Sequence, residues 1–132
     1  MQRPTVVLAD DHRGTAEQLC TMLQAHFDVV AVVEDGHALV SAAANFTPDV
    51  IVTDISMPGL DGIEASELIR RSEPDARIVL VTVHADPILV KHCLAAGALG
   101  YVLKDAAGDE LVPAIYAALR GERYVSSALL SS

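Results

Sequence analysis

At 132 residues the chain is one domain with room for a real hydrophobic core, and a hydrophobic share of 52% without Trp makes that core mainly Val, Leu, Ile and Ala. A formal charge of −9 argues against unassisted binding to nucleic acid or anionic lipid, because phosphate contact needs clustered Lys and Arg. No apolar run is long enough to span a bilayer, and Met1-Gln2-Arg3-Pro4 leads straight into a strand-like run, so neither a membrane span nor a signal peptide is expected. Cys20 and Cys93 lack CxxC or framework spacing and read as reduced, helix-borne thiols of a cytoplasmic protein.

Thr5-Val6-Val7-Leu8-Ala9 is the first strand and ends on Asp10-Asp11. Leu19, Leu23 and Phe27 follow at helical spacing, and Val29 to Val33 form the second strand. Glu34-Asp35-Gly36 turns the chain into a small helix, Ala38 to Ala44, which halts before Thr47-Pro48. The third strand, Val50-Ile51-Val52-Thr53, stops abruptly on Asp54, and a loop stiffened by Pro58 and loosened by Gly59 leads to Asp61-Gly62. Asp61-Gly62 reads as a turn and helix start. The helix from Gly62 to Arg71 is broken by Pro74-Asp75, and Arg77 to Val83 is the fourth strand.

Asp86-Pro87 has the residue types of a helix start, and that helix stops at Gly97. Leu99 to Leu103 is the fifth strand, ending on Lys104. Leu111, Val112, Ile115, Ala118 and Leu119 stripe the last helix, with Gly121 as its stop. Ala106-Ala107-Gly108-Asp109 caps that helix poorly, and Pro113 inside it is expected to kink it. Residues from 122 onward read as the start of a linker.

Strands alternating with helices predict a doubly wound parallel sheet, covered on both faces because its strands are apolar throughout. Ligands of such sheets gather outside the carboxyl ends of the strands. Those ends carry Asp10, Asp11, Asp54, Thr82 and Lys104. Carboxylates gathered there repel one another at a cost in stability, which a hard cation such as Mg²⁺ relieves. With Lys104 as a fixed positive charge and Thr82 as a neutral donor, the set is complementary to a phosphoryl group moving onto Asp54. His12, His26, His37 and His92 are scattered without ligand spacing and read as surface or packing residues.

From Thr5 to Gly121 the sequence resembles the receiver domain of two-component response regulators. Asp10-Asp11, Asp54-x-x-Met57-Pro58-x-x-Asp61-Gly62, Thr82, and Tyr101 three residues before Lys104 carry the likeness. The resemblance implies a flavodoxin-like five-stranded sheet in the order 2-1-3-4-5, with residues 1–121 as the receiver. It implies that Asp54 accepts phosphate from a sensor histidine kinase, and that Asp10 or Asp11, Asp54 and the backbone carbonyl of Ser56 hold Mg²⁺, with Asp11 the direct ligand of the first pair. It implies a switch through Thr82 and Tyr101, read out on the fourth helix, fifth strand and fifth helix, with Leu89, Lys91, Tyr101 and Tyr116 as surface candidates.

Gly121-Glu122-Arg123-Tyr124-Val125-Ser126 is similar to the junction before a helix-turn-helix in the NarL/FixJ branch, whose effectors are LuxR-like. That implies DNA contact only through a domain beyond residue 132, with phosphorylation-dependent dimerisation as a further expectation. A lone receiver or relay protein is the alternative. His84, two residues past Thr82, is placed to modulate dephosphorylation. A small Mg²⁺-dependent phosphatase is a weaker reading, because that class wants a second acid two residues past the nucleophile and position 56 is Ser. A flavodoxin-like electron carrier needs a hydroxyl- and glycine-rich loop where Asp10-Asp11-His12-Arg13 stands.

Overall fold

The computed structural model describes residues 3–130, and the alternation read from the sequence is present throughout. In chain order the elements are β1 (Thr5–Ala9), α1 (Arg13–Gln24), β2 (Asp28–Val33), α2 (Gly36–Phe46), β3 (Val50–Thr53) and α3 (Gly62–Ser72). Then come β4 (Ile78–Thr82), α4 (Pro87–Ala95), β5 (Gly100–Leu103), α5 (Ala107–Leu119), β6 (Tyr124–Val125) and the short turn α6 (Ser127–Leu130). All strand pairs are parallel and the order is β2-β1-β3-β4-β5-β6. The fold is flavodoxin-like as expected, but the sheet has six strands and not five. The sixth comes from the stretch read as linker.

Alternation along β1 shows why the strands are apolar on both sides. Val6 and Leu8 pack with Leu19 and Leu23 of α1 and with Leu111 and Ile115 of α5. Val7 and Ala9 face the other way, toward Leu39 of α2, Ile69 of α3 and Cys93 of α4. Each face of the sheet is therefore a separate apolar layer, and each fully buried Val, Leu or Ile contributes about 1.5–3 kcal/mol. Cys20 and Cys93 are free, on α1 and α4, and Cys93 is buried. Burial, with the charge of Asp61 adding to it, pushes the Cys93 thiol up to about 11, so it stays protonated and acts as a small apolar residue.

Helix starts follow the local chemistry. Asp35 caps α2 by accepting the Ala38 N–H, and Asp86 caps α4 by accepting the Ile88 N–H, with Pro87 in the first turn. Asp61 and Glu64 close a full capping box at α3. The last helix lacks a side-chain cap at Ala106, as its sequence suggests, and is entered through a 3-10 turn spanning Lys104–Ala106. Pro113 stands well inside α5, where its missing N–H removes one internal hydrogen bond, yet the helix continues to Leu119.

Candidate functional site

Register places the acids. Ala9 pairs with Thr53 at the last rung of β1 and β3, so Asp10 and Asp54 leave the sheet side by side. Their amides are still held by the neighbouring strands: the Asp54 N–H donates to Ala9 O at 2.9 Å and the Asp10 N–H to Val33 O at 3.0 Å. Strand order reverses between β1 and β3, which is where open α/β sheets bind their ligands. Thr82 pairs with Leu103 at the end of β4 and β5, so Lys104 is the next residue out.

The loop after β3 is held tightly over this site. The Gly62 N–H donates to Ile55 O at 2.8 Å, and a side chain at position 62 would place its Cβ 2.0 Å from the Asp54 carbonyl oxygen. Only glycine fits that approach. Asp61-Gly62 is thus turn and helix start, as its residue types indicated.

Lys104 is the hub. Its Nζ donates to Asp54 Oδ2 at 2.8 Å and lies 3.1 Å from Asp10 Oδ2. Side-chain exposures of 1% for Asp10, 5% for Asp54 and 15% for Lys104 make this a largely dry cluster in which charges act strongly. Burial works against the Lys104 charge, but its contacts with Asp54 and Asp10 outweigh that and raise its pKa above the ordinary lysine value. Lys104 is accordingly a permanent cation at neutral pH.

The remaining oxygens are unevenly served. Asp54 Oδ1 accepts the Ser56 N–H at 3.3 Å, and Asp10 Oδ1 accepts the His12 N–H at 2.9 Å. Asp10 Oδ2 and Asp11 Oδ1 are buried atoms with no aligned hydrogen-bond donor. Each has a nitrogen neighbour: Lys104 Nζ at 3.1 Å for the first, and His12 Nδ1 at 3.0 Å for the second. Ligand atoms of Asp10, Asp11, His12 and Asp54 all lie within 4.8 Å of one another. Buried acceptor oxygens without donors are costly, and a hard cation taking oxygen ligands relieves that cost, so the donor set fits Mg²⁺.

Thr82 and Tyr101 form a second group around His84. Thr82 is fully buried, and its Oγ1 accepts the His84 N–H at 3.2 Å. The Tyr101 hydroxyl donates to the His84 carbonyl at 2.6 Å, and the ring is fully buried, turned inward. Burial, then the neighbouring Cys93 and Asp86, raise the Tyr101 pKa, so the phenol is a neutral donor. The His84 ring lies with Nε2 3.1 Å from Ser56 Oγ, on the rim next to Asp54.

The structure brings Asp10, Asp11, Asp54 and Lys104 together as expected and corrects two other readings. Tyr101 does not offer its ring to a readout surface, since it is buried. Tyr116 is exposed on α5 and packs beside the end of α1, its ring centroid 5.1 Å from Phe27 and 6.4 Å from His26. His12, set aside as a lone histidine, sits in the acidic cluster, and its direct adjacency to Asp10-Asp11 was the available signal. Leu89 is half-buried and Lys91 exposed.

A doubly wound α/β domain with three acids and a lysine at its switch point defines a class of Mg²⁺-compatible acid-site proteins. The comparisons narrow that class. Residues 6–116 match the family described as the response regulator receiver domain. The transcriptional regulatory protein DegU of Brevibacillus brevis is 35% identical over 122 residues, covering 91% of this chain and 52% of that protein. A crystal structure of a LuxR-family two-component response regulator from Aurantimonas sp. superposes with a TM-score of 0.93 at 34% identity, covering 98% of this chain and 94% of that one. A structure of two RcsB dimers bound to two parallel DNAs gives a TM-score of 0.88 at 28% identity, covering 98% of this chain and 67% of that one. The chain belongs to the response regulator receiver family. It is a signalling domain of the LuxR-type regulators, and it spans 52–60% of the length of the curated relatives it matches.

Proposed function

We propose that Asp54 is the phosphoacceptor of this receiver and takes its phosphoryl group from a sensor histidine kinase. The observation that carries the proposal is the contrast within one cluster. Lys104 grips Asp54 Oδ2, while buried oxygens of Asp10 and Asp11 have no aligned donor. In the transfer, an Asp54 carboxylate oxygen attacks phosphorus and forms a P–O bond as the donor's P–N bond breaks. The electron pair stays on the imidazole nitrogen, which takes a proton from water. Asp10, Asp11, Asp54 and the Ser56 carbonyl are the groups that would hold Mg²⁺, which when bound supplies positive charge to the phosphoryl oxygens.

Lys104 shares that charge from the opposite side, already desolvated and in place. The Thr82 hydroxyl would supply a neutral donor, and a shift of Thr82 toward the phosphoryl group would be felt at His84, whose N–H its Oγ1 accepts and whose carbonyl accepts the Tyr101 hydroxyl. Such a local charge event biases a two-state element on the α4, β5 and α5 side. The regulator containing this domain acts in the cytoplasm, dimerises on phosphorylation and controls transcription through a DNA-binding effector following residue 132. Support comes from the similarity to DegU, a transcriptional regulatory protein, and to RcsB, whose dimers are bound to DNA.

Incubation with Mg²⁺ and acetyl phosphate, followed by intact-protein mass spectrometry, tests the assignment. Wild type is expected to gain one phosphoryl group and Asp54→Ala none. A wild type that stays unmodified, or an Asp54→Ala protein that is modified as fast as wild type, overturns it.

A further inference from the structure

The segment after α5 is fastened to β5 by more than strand pairing. The Tyr124 N–H donates to Leu99 O and the Ser126 N–H to Tyr101 O, both at 2.9 Å. Ser126 is fully buried, and its Oγ accepts the Leu103 N–H at 2.9 Å. The same hydroxyl donates to Glu110 Oε1 on the first turns of α5. The other carboxylate oxygen, Oε2, accepts the Ser127 N–H at 3.2 Å and the Ser127 hydroxyl at 2.9 Å. Beyond this point Leu129 packs onto the apolar layer that contains Tyr101.

Ser126 therefore sits astride β5. Its amide holds Tyr101 and its hydroxyl holds Leu103, the residue immediately before Lys104. Lys104 in turn grips Asp54, and the 3-10 turn that begins at Lys104 runs directly into the helix that carries Glu110. A buried serine that satisfies a strand amide and a helix carboxylate at once has no slack in its geometry.

We infer that Ser126 and Glu110 form a clasp which fixes the exit path of the chain to β5, so that displacement of Lys104 or Tyr101 is passed to whatever follows residue 130. Coupling to Asp54 rests on the phosphoacceptor reading; the clasp itself does not. Such a clasp makes the exit a stiff extension of the sheet, with the partner being the next segment of the same polypeptide. Mechanical continuity between strand and exit is what a receiver needs if a sub-ångström event at its acid site is to redirect a following domain.

Amide hydrogen exchange on the 132-residue chain decides it. In Glu110→Gln and Ser126→Ala the amides of Tyr124, Ser126 and Ser127 should exchange about tenfold faster than in wild type, with β1 and β3 protection unchanged. Exchange of those amides at the wild-type rate in Glu110→Gln, with the core protected, overturns the clasp. Glu110→Gln is decisive because it alters a carboxylate at the domain edge, whereas Ser126→Ala disturbs a buried site. Addition of Mg²⁺ and beryllofluoride, with bound fluoride followed by fluorine NMR, tests the coupling. Bound fluoride should shift exchange at Tyr124 and Ser126 by about threefold in wild type and leave Glu110→Gln unshifted. Bound fluoride with no shift in wild type overturns the coupling alone. An absent bound signal overturns the phosphoacceptor reading and the coupling with it, while the clasp is judged on the variants.

Discussion

Two carboxylate sites lie on either side of Lys104, and they are finished to different degrees. At the clasp, Glu110 receives both serine hydroxyls and a backbone N–H, so its oxygens are fully served by the protein. At the mouth of β1 and β3, Asp10 Oδ2 and Asp11 Oδ1 are buried atoms that lack an aligned hydrogen-bond donor, although Lys104 Nζ lies 3.1 Å from the first. Folding alone gains from the first arrangement and loses from the second. The satisfied carboxylate is architecture, and the unsatisfied ones are where an external ion and a phosphoryl group complete the structure.

Three changes break or sharpen that contrast. The largest effect is expected from Lys104→Met, which leaves Asp10 and Asp54 without their shared cation and removes preorganised positive charge from the transfer. Phosphorylation by acetyl phosphate, followed by intact mass, should slow by about 10²–10³. A rate within a few-fold of wild type would make Lys104 a structural counter-ion only. Next in size is the cation. Mg²⁺ at about a hundredfold over its Kd should stabilise the domain by about 2.7 kcal/mol in thermal melts, an effect that EDTA removes and that Asp11→Asn greatly weakens. Equal stabilisation of Asp11→Asn would exclude Asp11 as a ligand.

The smallest effect lies at the clasp and has a definite sign in pH. The Ser126 hydroxyl, opposed by partial burial and helped by the Ser127 amide and hydroxyl, holds the Glu110 carboxyl below its ordinary value. A carboxylate depressed in the folded state stabilises it above the unfolded glutamate pKa, and that contribution is lost as pH falls through the folded value. Tyr124, raised by burial and by the Glu110 charge, stays neutral across this range. Exchange at the Ser126 amide, corrected for intrinsic chemistry, should therefore rise a few-fold below pH ~4.3. Glu110→Gln should flatten that rise.

Much of this was legible in the sequence itself. A parallel sheet whose strands end on acids at two neighbouring positions and on a lysine at a third announces its own site, because strand order brings those ends together. Asp54, Asp10, Asp11 and Lys104 fall where the runs stop. The sixth strand was not legible, since Tyr124–Val125 is two residues long and too short for period-two patterning. Nor was the clasp, whose partners Glu110 and Ser126 are sixteen residues apart and gain meaning only once β6 lies against β5.

The pairing of β6 has a bearing on how this domain behaves when handled in isolation. β5 would otherwise be an edge strand, and its fully buried apolar residues would border a row of open backbone groups. Such edges recruit other strands and seed self-association. Cutting the chain after Gly121 would remove Tyr124 to Ser126 and free the Leu99 and Tyr101 carbonyls and the Leu103 amide at once. A few residues past the last long helix thus act as a guard rail for the sheet, keeping the β5 backbone groups paired.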